Sequence, residues 1–150
     1  MSLINDIESV ETFVKTVHAM VTTYKQTKPK NPAANTFVIR FQNDGRETET
    51  AAHYRIDREY QIVYFGATEV DVLTKMDALS KALYQRKLIA INGTGGASLR
   101  YIRVGSFSFS QPFLTENDLY ACIGVLSTEL REARDQQTYD KIMNVNARFT

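Results

Sequence analysis

The chain has 150 residues, 43% of them hydrophobic and 23% charged, and its 18 Lys and Arg against 17 Asp and Glu leave a net charge of +1. That is the size and balance of one ordinary globular domain able to close its own core. The neutral balance excludes a free nucleic-acid-binding module, which would carry a basic excess, and gives no field to draw the chain to a membrane; a lumen that merely lets DNA pass stays compatible with it.

The first predicted element is a helix over residues 3–25, where Leu3, Ile7, Val10, Val14, Val17, Val21 and Tyr24 recur at spacings of four and three and make one apolar stripe. Asp6 and Glu8 suit the positive end of its dipole, and Lys25 and Lys28 suit the other end. Pro29 and Pro32 forbid continuation and stiffen the connector. Residues 36–41 (TFVIRF) read as a short strand with Phe37, Ile39 and Phe41 on one face. Residues 42–50 read as a polar loop, with turn chemistry at Asn43-Asp44-Gly45.

Residues 50–65 then alternate over an unusual length, with Tyr54, Ile56, Tyr60, Ile62 and Tyr64 on one face and His53, Arg55, Asp57, Glu59 and Gln61 on the other. At about 3.4 Å per residue such a strand runs about 50 Å, so it is expected to project, bend or pair with a neighbour. Arg58 interrupts its apolar face. Either it guards a sheet edge with its head in water, or it pairs with a carboxylate of a neighbouring subunit. On the second reading Arg58→Ala weakens assembly more than it lowers the melting temperature. The tyrosines around it fit interface anchors and core packing equally.

Gly66 ends that strand, and Thr68 with Asp71 approximates a capping box that opens a second helix over residues 68–87. Residues 88–91 read as a brief strand, and Asn92-Gly93-Thr94-Gly95-Gly96 as a hairpin turn. A phosphate loop would need a helix and usually a Lys after its last Gly, whereas Ala97-Ser98-Leu99 leads into a strand over residues 99–113. There Ile102 and Val104 lie on one parity and Phe107 and Phe109 on the other, which places a β-bulge at Gly105. Residues 119–130 form the last strand, apolar on both faces over 119–126 as a central strand is. The order α-β-β-α-β-β-β describes an α+β domain over residues 1–135, an antiparallel sheet with two helices packed on one face. A C-terminal arm follows at 136–150, and its Tyr139, Ile142, Val145 and Phe149 suit docking onto another subunit.

No constellation in the sequence has the spacing of a catalytic or metal site. His18 and His53 lack a second ligand nearby, Cys122 sits in the apolar run LYACIGVL, and Ser106, Ser108 and Ser110 form a hydroxyl face of a strand. The pairs Asp57/Glu59 and Glu116/Asp118 stand among Arg or polar residues that satisfy them. The expectation is therefore no catalytic residue, no metal and no cofactor: not an enzyme. The early acids Asp6, Glu8 and Glu11 do not fit a signal peptide, and no window approaches about 18 apolar residues, so a soluble intracellular chain is expected. One cysteine forms no internal disulfide, which fits a reducing compartment.

The layout also resembles a known family. An amphipathic helix, a short strand and a polar loop precede a long strand closing on REYQIVYFG, then the helix DVLTKMDALSKAL, a short strand and turn, and final strands ending in TELREARD. Over residues 4–135 this resembles the tail terminator (neck terminator) proteins of long-tailed bacteriophages and related phage-tail-like particles. The resemblance implies a structural virion protein of the tail or neck, assembled in the host cytoplasm: a homo-hexameric ring that ends tail-tube polymerisation and joins the tail tube protein to a head-completion or connector protein. DNA would pass its lumen without sequence-specific binding. It further implies contacts from Arg58 and Tyr60, from loops 42–50 and 92–98 (Arg46, Glu47, Thr94), from the strand bearing Arg100 and Arg103, and from the arm through Tyr139 and Phe149. The alternatives are another head–tail connector, tail-completion or minor capsid protein, or a small-ligand-binding domain with a cleft between the first helix and the sheet.

Overall fold

The structure is a computed structural model that describes residues 3–92 and 100–133. Its elements are α1 (Leu3–Val17), β1 (Thr22–Lys25), β2 (Thr36–Thr48), β3 (His53–Gly66), α2 (Glu69–Arg86), β4 (Leu88–Ala90), β5 (Tyr101–Phe109), β6 (Phe113–Leu114) and β7 (Tyr120–Ala133). The strands join in one sheet of order β1-β2-β3-β7-β5-β4, with β6 also on β7. The expected α+β class holds.

Both helices lie on one face. Ile7, Val10 and Val14 of α1 and Val72, Met76 and Leu79 of α2 share a single core with Phe37, Ile39, Tyr60, Ile62 and Tyr64 of β2 and β3. α1 packs against β1, β2 and β4, which lie at opposite edges, so the sheet curls around it. α2 starts as its sequence indicates: the Thr68 hydroxyl accepts from the Asp71 N–H at 3.1 Å. It stops at Lys87, whose φ of 65° is left-handed and whose N–H donates to the Leu83 carbonyl. On the opposite face Val38, Phe65 and Ala121 form a small buried cluster.

Two bulges lie on one line across the sheet. The β2–β3 register slips between Phe41 and Asn43, and the β5–β7 register slips between Val104 and Ser106. Asn43 pairs with Glu59, Glu59 with Ser127, and Ser127 with Ser106, so both extra residues, Gln42 and Gly105, adjoin the same row. A bulge bends its strand and sharpens the twist. Two in one row make a crease across the sheet.

Several expectations need correction. The first helix ends at Val17 rather than near residue 25, because Thr22-Thr23-Tyr24, β-branched and aromatic, joins the sheet instead. β1 pairs parallel to β2, Thr22 opposite Thr36, so the sheet is mixed rather than antiparallel. The element order gains β1 and β6. The polar loop expected at 42–50 is mostly strand: β2 continues to Thr48, drawn along by its alternating partner β3, and the bulge absorbs the Asn-Asp-Gly signal. The turn moves to residues 49–52, where the Thr50 hydroxyl accepts from the Ala52 and His53 N–H groups at 3.2 and 2.9 Å. The bulge at Gly105 and the central position of β7 match the sequence reading. The glycine turn after Asn92 and the arm at 136–150 lie outside the described residues.

Candidate interaction surface

The crease is pinned by a buried ionic cluster. Arg58 points from β3 into the core and is 7% exposed; its Nη1 pairs with Asp6 Oδ2 of α1, itself 2% exposed, and its Nε lies 3.1 Å from Asp44 Oδ1 of β2. Three elements thus meet on one guanidinium. Burial raises the Asp6 carboxyl above the usual range while the Arg58 charge opposes it. Burial also pushes the neighbouring Tyr60 hydroxyl up to about 12. The carboxylates that hold Arg58 come from its own chain, where the sequence left open a solvated head or a partner from a neighbouring subunit. Tyr60 is fully buried in the core beside it.

The readable signal was Asp6. It sits three residues after Leu3 and four before Val10, on the apolar stripe of α1. An acid on one apolar face and an arginine on another are a pair looking for each other.

Beyond the crease, charges line the open side. Arg55 pairs with Glu47 and with Asp57, the latter at 3.0 Å, and Arg131 joins Glu49 at 2.7 Å and Glu129 at 3.1 Å. Arg46 lies 3.8 Å from Asp44 and 6.0 Å from the Tyr54 ring centroid. Arg100 Nη2 donates to the Arg131 carbonyl at 2.8 Å, and Arg103 is exposed opposite Glu129. The structure therefore gathers Arg46, Glu47, Arg100 and Arg103 at the far end of the sheet, with Arg58 and Tyr60 buried below them. Thr94, Tyr139 and Phe149 lie outside the described residues.

Each sheet edge is closed near the helices, and further out no strand among the described residues flanks it. Past the end of β4, the Tyr84 hydroxyl accepts from the Phe107 N–H at 2.9 Å and donates to the Phe107 carbonyl at 3.2 Å, standing in for a strand. Past the end of β1, Gln26, held at φ 63°, donates its N–H to the Ile39 carbonyl at 2.8 Å while its side-chain oxygen accepts from the Phe41 N–H. Beyond these stand-ins no described strand flanks β2 from Asn43 to Thr48, nor the outer side of β4. Those two edges share a level. Gly45, Asp57, Glu129, Arg103 and Leu88 form one cross-strand row, about 19 Å wide at about 4.8 Å per strand.

The outer edge of β4 borders a groove of about 470 Å3 whose far wall is α1, lined by Phe13, Thr16, Arg86, Leu88 and Tyr101 among others. The Arg86 guanidinium sits over the Phe13 ring, 5.6 Å from its centroid. Among the described residues no group of three His, Cys, Asp or Glu could hold a metal ion. Cys122 is buried with its thiol raised by that burial, and its Sγ donates to the Ser110 carbonyl at 2.9 Å. No described helix is long and apolar enough to cross a membrane.

No family model matches the chain, and no curated protein matches it. One solved structure, whose title names no activity, superposes with a TM-score of 0.54 at 14% identity, over 90% of this chain and 99% of that one. The fold is thus shared along almost the whole of both. Another, titled the virion of a native gene transfer agent particle, gives a TM-score of 0.39 at 11% identity over 79% of this chain and 84% of that one, too loose to establish a common fold.

Proposed function

We propose that the protein is a structural, non-enzymatic component of a phage-like particle, a ring subunit that caps the head-proximal end of a tail tube and presents a surface to a head-completion or connector protein. The observation that carries this reading is the outer half of β2. From Gln42 to Thr48 every residue is exposed, on both faces of the strand, and no described strand covers its outer edge. A solitary globule has little use for such an edge, which is a template for pairing with another chain. The resemblance over residues 4–135 supplies the kind of assembly, and the near-neutral charge suits a lumen that lets DNA slide, since each phosphate contact would add to binding.

The test is native mass measurement and negative-stain imaging of the purified protein, alone and mixed with tail tubes. Closed assemblies of about six chains, or density added at one tube end only, support the reading. A chain that stays monomeric at high concentration and leaves tube ends bare overturns it.

A further inference from the structure

We propose that the first turns of α2 on one copy of this chain dock into a groove beside β6 on a second copy. The proposal deepens the assembly reading and rests on it for its partner. It starts from exposed apolar side chains gathered at one end of the molecule. Val70 and Leu73 of α2 are 73% and 41% exposed, and Phe113 and Leu114 of β6 are 44% and 61% exposed. All four lie at the end where β3 closes on Gly66. There Gly66 and Leu114 both pair with Tyr120, and α2 begins at Glu69. Single apolar residues on a surface need no explanation, but grouped ones mark contact sites.

The two pairs stand on opposite faces. α2 turns Val72, Met76 and Leu79 toward the sheet, so Val70 and Leu73, three residues apart, share its outer flank. Phe113 and Leu114 line a groove of about 490 Å3 together with Lys28, Lys30 and Phe65. Phe65 belongs to the small cluster with Val38 and Ala121, on the face away from the helices. A helix that lays an apolar flank into a groove is a common mode of recognition.

Charge fits the same pairing. The groove carries Lys28 and Lys30 against one acid, Glu116, and Lys28 Nζ lies 5.5 Å from the Phe65 ring centroid. α2 opens on the acids Glu69 and Asp71, with Asp77 a turn and a half further on. Asp71 accepts from the Tyr64 hydroxyl at 2.9 Å, and Asp77 pairs with Lys81 at 3.1 Å. Among the described residues no ion pair claims Glu69, Lys28 or Lys30. An acid beside Val70 thus has two cations to meet beside Leu114.

The opposite faces fix the kind of symmetry. The sheet and α2 lie between the two patches, so one partner does not cover both, and the contact runs head to tail. Such a contact closes into a ring when the rotation between copies divides a full turn, and otherwise continues as a filament. No residue of β2 takes part, so its outer edge is left to a different neighbour.

The experiment uses full chains with one added cysteine each, Val70→Cys or Leu114→Cys; the natural Cys122 is fully buried and does not compete. Mild oxidation of a mixture is expected to join unlike chains, and oxidation of the double variant to give ladders of linked chains. Pairs of like chains, a disulfide closed within one chain, or no disulfide overturns the proposal. Glu69→Lys on the first chain should lower the yield at least about tenfold, and Lys28→Glu with Lys30→Glu on the second should restore it. A yield indifferent to these charges overturns the proposal. In the unsubstituted protein, hydrogen-exchange protection at residues 113–115 should grow with concentration. Protection that appears only when tail tubes are added gives the groove to the tube and overturns the proposal. Native mass is read on the same samples. Closed rings without the cross-link overturn this contact and leave the assembly reading standing, whereas cross-linked filaments support the contact and overturn the ring.

Discussion

β2 is two strands in one. From Thr36 to Ile39 it is buried on both faces, and from Gln42 onward it is exposed on both, although the hydrogen-bonded partner β3 is the same throughout. The inner half is held by packing: Phe37 lies under the Tyr64 ring at 4.5 Å and beside the His18 ring at 5.6 Å. The outer half is held by its ladder to β3 and by charge pairs in water, which contribute little each. The same backbone thus serves as core on one side of the crease and as exposed surface on the other. Stability should be concentrated on the inner side and association on the outer.

The sharpest way to break that division is at the crease itself. Arg58→Met leaves the Asp6 carboxylate buried without its partner and should cost about 3–5 kcal/mol in urea unfolding. The double change Asp6→Leu with Arg58→Met should recover most of that. Melting left intact by the single change would return Arg58 to the two roles the sequence leaves open, a solvated edge guard or an assembly contact.

Two glycines give a matched pair. A Cβ at Gly124 would meet the Phe107 ring at 2.7 Å and the Met76 Cε at 2.9 Å, so Gly124→Ala should cost about 1–3 kcal/mol. At Gly45 the nearest atom is 4.0 Å away, and Gly45→Ala should change stability by less than about 0.5 kcal/mol. Comparable losses at both sites would abolish the distinction between the two halves.

Smaller effects sharpen it. Tyr84→Phe removes the hydroxyl that closes the edge at Phe107 and should cost about 1 kcal/mol, because water reaches the freed groups. Faster aggregation than for wild type is the more telling sign, read by light scattering. His18, under its partial burial, is held below the usual imidazole range, and its Nε2 donates to the Lys75 carbonyl at 3.0 Å. The unfolded chain therefore binds the proton more readily, so stability is complete above about pH 6.5 and declines as pH falls through that value. His18→Gln should flatten urea midpoints between about pH 7.5 and pH 5.5, and an unchanged slope would assign the effect elsewhere.

What the sequence disclosed tracks how locally each feature is encoded. The second helix was legible because Thr68 and Asp71 cap it within one turn, and the β5 bulge because Ile102 and Val104 against Phe107 and Phe109 show a phase change in the line of letters. β1 was hidden because Val17, Val21 and Tyr24 happen to continue a helical spacing. The pairing that makes Thr22–Lys25 a strand lies across a connector with two prolines. The β2 bulge was hidden because Asn43-Asp44-Gly45 is also good turn chemistry, and only the partner strand decides between them. The outer edge residues Arg46 and Glu47 were placed on a loop and stand on a strand. Arg58 stood out from its apolar face, Asp6 was read only as an acid suited to the helix dipole, and 52 residues separate the two halves of that bond.

The extra residue Gln42 has a consequence for how this gene can change. Before it, odd-numbered side chains of β2 face the helices, as Phe37 and Ile39 do; after it, even-numbered ones do, which is why Asp44 meets Arg58. Loss of that one codon would leave Asn43 opposite Glu59 and Asp44 opposite Arg58 and would take away only the bulge, and with it the bend it puts into β2. Along this stretch one codon carries the curvature, while its neighbours carry the contacts.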